Sequence, residues 1–314
     1  MNSFTGEIIS LVVAVSWTIT ALAAEKASNC ASALIVNVVR MAIAIILFFI
    51  LLFFTTGSCL PQYADAATWG WLALAGLVGY VFGDICLFRS YQEMGSRYGQ
   101  LFMTLAPIFS AIGGWIVFGE ELSAHTIVAI LLILLGIGMS VFGRSQGESS
   151  GHHIGLKITP LAALLGIGAA VGQGIGLVIS KIGMLSYEAS LPPGVEPESV
   201  MMPFAATLIR CFAGIVGFSA IMFLRHSTAE LPVMLRNRTA MVSVTVATIF
   251  GPVVGVSLSL LAVLYTSTGV AATLMALVPV FILLPSAVFM HQRITLLDII
   301  GSIVAVAGVA FLFL

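Results

Sequence analysis

The chain has 314 residues, of which 60% are hydrophobic and only 8% are charged, and its formal net charge is −1. An ordinary soluble domain has about 25% charged residues, so this composition excludes a water-soluble surface. The sequence also lacks the basic patch or tail that binds nucleic acid. We therefore expect a lipid bilayer around this protein, and no nucleic acid as a partner.

Ten apolar stretches of helix length follow one another along the chain. A helix needs about 20 mostly apolar residues to span the hydrocarbon core of a bilayer. The first stretch has no basic segment before it, so we interpret it as a mature helix and not as a signal peptide. The sequence thus predicts an all-α, multi-pass membrane protein with ten transmembrane helices, at residues 6–24, 33–54, 69–91, 98–118, 124–143, 158–181, 201–224, 241–264, 268–290 and 295–314.

The second half of the chain repeats the first. The segments Met103-Thr-Leu-Ala-Pro-Ile-Phe109 and Met275-Ala-Leu-Val-Pro-Val-Phe281 lie 172 positions apart and share Met, Leu, Pro and Phe. Further matches, at separations of 155 to 172 positions, are Gly79 with Gly251, Arg40 with Arg210, and Lys26 with Lys181. We therefore divide the chain into a first five-helix repeat, a polar linker and a second five-helix repeat, at residues 1–143, 144–157 and 158–314.

An odd number of helices in each repeat has a geometric consequence. With five spans in the first repeat, the second repeat enters the membrane from the opposite side, so the two repeats are inverted. Inverted repeats around a central cavity are the architecture of secondary transporters. Pro107 and Pro279 lie at matching places in the fourth and ninth helices. We expect each proline to kink its helix, because proline removes a backbone donor.

A set of residues spread over nearly the whole chain forms a recognisable pattern. Its members are Trp17, Lys26, Arg40, the turn 91–99, Pro107, the break 118–123 and Gly136 in the first half, and Pro279, Thr295 and Gly308 in the second. This pattern resembles the drug/metabolite transporter (DMT) superfamily, and within it the EamA-type ten-helix transporters. Gln292 stands where the resemblance implies a glutamate like Glu120.

The resemblance implies a secondary transporter. Such proteins move small metabolites, amino acids or drug-like compounds across a membrane by alternating access, frequently outward. The partner that the resemblance implies is therefore a small-molecule substrate, which the pattern does not specify. It also implies a multi-pass protein of the cell (inner) membrane with both termini in the cytoplasm. The distribution of Lys and Arg favours termini outside, so the orientation stays open, as does the oligomeric state.

Ionisable residues within the predicted helices are candidates for a substrate or coupling site. Arg40 and Asp84 each lie about seven residues, or roughly 10 Å, from helix ends on the same side. They can therefore form a buried ion pair, which either locks two helices or has a cavity or proton-linked role. Arg210 lacks this partner, because Val256 occupies the position that matches Asp84. Arg210 must reach water, a carbonyl or an anionic substrate group.

Polar and aromatic residues in the helices are the remaining site candidates, although such side chains also join membrane helices. They are Trp17, Asn37, Tyr80, Gln173 and Tyr265. We expect no metal site and no cofactor. His152 and His153 have no third ligand nearby, and the four cysteines show no CxxC spacing.

Three other functions are possible for such a chain. A membrane-embedded enzyme would need a zinc-protease motif, paired intramembrane carboxylates or a serine elbow, and the sequence contains none of these. A channel would need rings of charge or a carbonyl filter motif. A non-transporting scaffold or regulatory subunit stays open. A central cavity between the repeats would favour transport over such a scaffold.

Overall fold

The computed structural model describes residues 4–28, 30–90, 93, 102–147, 159–281 and 296–312. The regular structure in these ranges is helical throughout. The first half contains α1 (Thr5–Ser28), α2 (Ala33–Thr56), α3 (Ala66–Ser90), α4 (Ala106–Phe118) and α5 (Ala124–Gly147). The second half contains α6 (Pro160–Ser190), α7 (Met202–Leu224), α8 (Glu230–Arg236), α9 (Arg238–Tyr265), α10 (Thr268–Met275), α11 (Val278–Phe281) and α12 (Leu296–Leu312).

Six of these helices are long and apolar enough to cross a membrane, namely α1, α2, α3, α6, α7 and α9. That the chain crosses the membrane ten times therefore stays a prediction. Helix α6 continues to Ser190, beyond the predicted end at residue 181. The end of α6 is held against the loop that precedes α3, because the Tyr187 hydroxyl donates to the Gln62 carbonyl at 2.7 Å and the Ser190 hydroxyl to the Tyr63 carbonyl at 2.8 Å.

Each of the two matched prolines follows a two-residue turn that separates two helical stretches. The chain makes a turn before Ala106, so Pro107 falls in the first turn of α4, where a missing N–H costs little. A turn at residues 276–277 likewise separates α10 from α11, which contains Pro279. Ile108 N donates to Leu105 O at 3.0 Å, and the equivalent Val280 N donates to Leu277 O at 2.9 Å. A short interruption thus precedes each proline, and the kinks expected at Pro107 and Pro279 stay a prediction.

Helices α3 and α9 contain π-helical segments at equivalent positions, Leu77–Asp84 and Ile249–Val256, which are 172 residues apart. The wide π turns leave backbone carbonyls open to other donors. Gln173 Nε2 on α6 donates to Gly79 O at 3.2 Å, and the Ser16 hydroxyl on α1 donates to Phe250 O at 2.7 Å. Each segment therefore receives a side-chain donor from the first helix of the other half.

The two halves pack against each other reciprocally. Helix α1 contacts α9 and α10 of the second half, and α6 contacts α3 and α4 of the first. Helices α2 and α7, α4 and α10, and α5 and α12 also pair across the halves. Glycine permits the closest approaches. A Cβ atom at Gly172 would lie 2.7 Å from Gly83 Cα, and one at Gly76 would lie 2.5 Å from the Arg210 carbonyl oxygen.

Candidate functional site

A cavity of about 100 Å³ lies where the interrupted helices of the two halves meet. Each π segment contributes one lining residue, Tyr80 in the first half and Val256 in the second. The two helix breaks contribute Thr104 and Ala276, and the first residues of the helices that follow, Ala106 and Val278, also line the cavity. All four interruptions therefore border the same cavity.

The cavity wall is mostly apolar, with a few polar groups. Trp17, Met103, Leu177 and Met275 supply large side chains. Gln173 and Arg210 add an amide and a guanidinium. A concave, apolar site with a small number of placed polar groups is typical of small-molecule binding.

A buried ion pair lies beside the cavity. Arg40 pairs with Asp84, and the two side chains are each 8% exposed. The Asp84 carboxylate also accepts a hydrogen bond from Gln173 Nε2 at 2.9 Å. The structure thus brings Arg40 and Asp84 together, as the argument from depth predicts. Neither residue belongs to the cavity lining as described, and Gln173 is the side chain that connects the pair to the cavity.

Arg210 occupies the cavity wall and forms no ion pair with another described residue. Its side chain is buried, with 5% exposure, and its guanidinium carbon lies 4.8 Å from the centre of the Tyr80 ring. Nε has no hydrogen-bond partner, and no carboxylate in the described part of the chain forms an ion pair with this guanidinium. Gly79 makes room for it, because a Cβ atom at that position would lie 3.2 Å from Arg210 Nη2.

Two of the predicted site residues lie away from the cavity. Asn37 is buried on α2 and donates its side-chain amide to Ala33 O at 3.0 Å, in its own helix. Tyr265 is the last residue of α9 and is 40% exposed. Neither side chain is among those that border the cavity. The other candidates Trp17, Tyr80, Gln173 and Arg210 do line it, and their role at a substrate site stays a prediction.

A second polar cluster, which the sequence argument missed, consists of Glu120, Lys181 and Thr268. Lys181 Nζ lies 2.6 Å from Glu120 Oε1, and the other carboxylate oxygen accepts from Thr268 N at 2.9 Å and from its hydroxyl at 2.7 Å. The Glu120 cluster joins the loop after α4, the middle of α6 and the start of α10. Lys181 is eight residues beyond Gln173 on α6, so the cluster lies about 12 Å along that helix from the cavity wall.

Several predicted features fall outside the described residues. They include His152, His153, Gln292, Thr295 and the turn 91–99 apart from residue 93. Among the residues that the structure does describe, no group of three or more His, Cys, Asp or Glu side chains could hold a metal ion.

The chain is similar in sequence and in fold to known proteins. The sequence profile of the EamA-like transporter family matches residues 4–142 and again residues 160–314. An uncharacterized transporter of Archaeoglobus fulgidus is 44% identical over 45 residues, which are 14% of this chain and 16% of that protein. One solved crystal structure has the same fold, with a TM-score of 0.70 and 17% identity, over 98% of this chain and 96% of the other. The two profile matches cover most of the sequence, and the chain belongs to the EamA-like transporter family.

Proposed function

We propose that this protein is a secondary transporter that moves a small metabolite, amino acid or drug-like compound across the membrane by alternating access, in the export direction, without enzymatic activity of its own. In this proposal its ten spans form two inverted five-helix repeats. It is a multi-pass protein of the cell (inner) membrane.

The position of the cavity is the observation that carries this proposal. Discontinuous helices at corresponding positions of two repeats are the usual sign of a transporter binding site. Here the two π segments and the two breaks border one cavity, and both halves supply its wall. Interrupted helices also allow the parts on either side of the cavity to move separately. A solidly packed centre would have favoured a scaffold.

Transport can be tested with the purified full-length chain in liposomes. Vesicles loaded with an unlabelled amino acid or metabolite are diluted into the labelled compound, and exchange is measured over a panel of compounds. For export, net transport of the compound from the cytoplasmic face of the protein to the opposite face should be faster than net transport in the reverse direction. Exchange of at least one compound is expected, and exchange of none would contradict the proposal.

A matched pair of variants connects transport to the cavity. Ala272→Phe places a ring in the cavity wall, whereas Val306→Phe places the same ring on a face that is 59% exposed. Ala272→Phe should abolish exchange, because Ala272 lines a cavity of only about 100 Å³. Val306→Phe should retain it. Equal activity of the two variants would show that transport does not pass through this cavity.

A further inference from the structure

Arg210 is a buried charge that forms no ion pair with another described residue, because the Asp84 carboxylate nearby is paired with Arg40. Its side chain is 5% exposed, it borders the cavity, and its Nε has no hydrogen-bond partner in the described part of the chain. A buried charged group is costly unless it is paired or bound to a ligand. The Tyr80 ring, 4.8 Å from the guanidinium carbon, supplies a cation–π contact but no negative charge.

The two halves of the protein differ at this point. Arg40 in the first half is neutralised by Asp84, which lies at the last position of the first π segment. The last position of the second π segment is Val256, which also borders the cavity. The carboxylate that would neutralise Arg210 is therefore absent from the chain at the equivalent place, and the cavity lies there instead.

The rest of the wall indicates what could supply that carboxylate. Neither Asp nor Glu is among the described residues that line the cavity, and the Asp84 carboxylate beside it is compensated by Arg40. Trp17, Leu177 and Met275 provide an apolar surface for the remainder of the ligand. We propose that the cavity binds a small organic monoanion, with its carboxylate on Arg210 and its apolar body against this surface. That the bound monoanion is also the transported substrate rests on the proposed function.

Three probes with the same branched carbon skeleton test the charge requirement. They are 4-methylpentanoate, 4-methylpentanamide and 4-methylpentan-1-amine, titrated calorimetrically into the full-length protein in lipid nanodiscs at about pH 8, where the acid is ionised. The acid should bind about ten- to a hundredfold more tightly than the amide or the amine, as expected for a charged hydrogen bond to a buried guanidinium. Equal or tighter binding of the amide or the amine would overturn the inference.

Two pairs of variants locate the effect. Arg210→Gln should weaken binding of the acid about ten- to a hundredfold, and Arg225→Gln, at an exposed arginine that follows α7, should leave it unchanged. Val256→Asp should remove acid binding by giving Arg210 an internal carboxylate, and the nearly isosteric Val256→Asn should retain it. If Arg210→Gln does not fold, the Val256 pair decides the question. Unchanged acid binding in Val256→Asp would overturn the inference.

Exchange of labelled 4-methylpentanoate across vesicles separates this inference from the proposed function. Arg210-dependent binding without exchange would contradict transport and leave the anion site standing. Exchange of neutral or cationic compounds that does not depend on Arg210 would contradict the anion site and leave transport standing. Arg210-dependent exchange of the acid supports both.

Discussion

The ion pair between Arg40 and Asp84 should contribute to stability in a strongly non-additive way. Both side chains are 8% exposed, so removal of one partner leaves the other charge buried, which typically costs about 3–5 kcal/mol. Asp84→Asn should be the more harmful change, because it leaves Arg40 and Arg210 without a carboxylate. In Arg40→Gln, by contrast, Asp84 keeps the hydrogen bond from Gln173.

The double variant, Arg40→Gln with Asp84→Asn, should cost less than the sum of the two single changes. Groups in one buried network commonly show coupling of about 0.5–3 kcal/mol, and a pair with this burial belongs at the upper end of that range. Arg225→Gln, which removes an exposed arginine, should change stability by no more than about 0.5 kcal/mol. It is the matched control for the loss of a positive charge.

Equilibrium unfolding in mixed detergent micelles gives the free energy for each variant. A third substitution sharpens the test, because Arg210→Gln on the Asp84→Asn background removes one of the two uncompensated cations and should recover part of the lost stability. Strictly additive losses for Arg40→Gln and Asp84→Asn would refute the argument that the two charges compensate each other.

Three further predictions concern features outside this pair. Glu120→Gln should lower the free energy of unfolding by about 1.5–3 kcal/mol, because Lys181 loses its carboxylate partner. Glu121→Gln, at the neighbouring exposed glutamate, is the control and should have little effect. Equal melting temperatures of the two variants would contradict the prediction. Gly114→Val should disrupt the same cluster, because a Cβ atom at Gly114 would lie 2.2 Å from Thr268 Oγ1 and 2.3 Å from Glu120 Oε2; unchanged thermal unfolding of this variant would show that the cluster can shift. Asp65 is the N-cap of α3, and hydrogen bonds from the side chain and the backbone N–H of Thr68 hold the pKa of its carboxyl below the usual range. The stabilising effect of Asp65 is therefore fully present above the unfolded pKa of about 3.9. It is lost as the pH falls through the lower folded pKa. The melting temperature of Asp65→Ala should therefore lie below that of the unchanged protein at pH 7, and the difference should shrink as the pH falls below about 3.9. A difference that stays constant on acidification would contradict the capping role.

The sequence predicted the features that depend on composition and on residue spacing. Long apolar stretches predicted α1, α2, α3, α6, α7 and α9, because a spanning helix has a length that can be counted. The match between Gly79 and Gly251 correctly marked equivalent places. It did not reveal the π segments, because a change of hydrogen-bond register leaves the hydrophobic pattern almost unaltered.

Part of the candidate site was predictable from the spacing of charged residues along the apolar helices. Arg40 and Asp84 could be paired by depth, since both are charged and both lie within apolar helices. Glu120 and Lys181 were missed because each stands next to a polar break, where a charge needs no partner to be explained. Asn37 and Tyr265 were candidates on residue type alone, which does not distinguish a cavity wall from helix packing or a helix end. The structure gives Asn37 a bond within its own helix and puts Tyr265 at the end of α9.

The uncompensated guanidinium of Arg210 also has an electrical consequence. Arg40, Asp84 and Arg210 together give this part of the described chain one excess positive charge, which a bound monoanion would cancel. In the proposed transport cycle the occupied protein is then electrically neutral at its centre, and the empty protein is not. A membrane voltage would act on the return of the empty protein, with up to about 2.3 kcal/mol per 100 mV if the charge crossed the whole field. The membrane voltage would thus change the rate at which the empty protein returns and have almost no effect on the step in which the occupied protein carries its anion across.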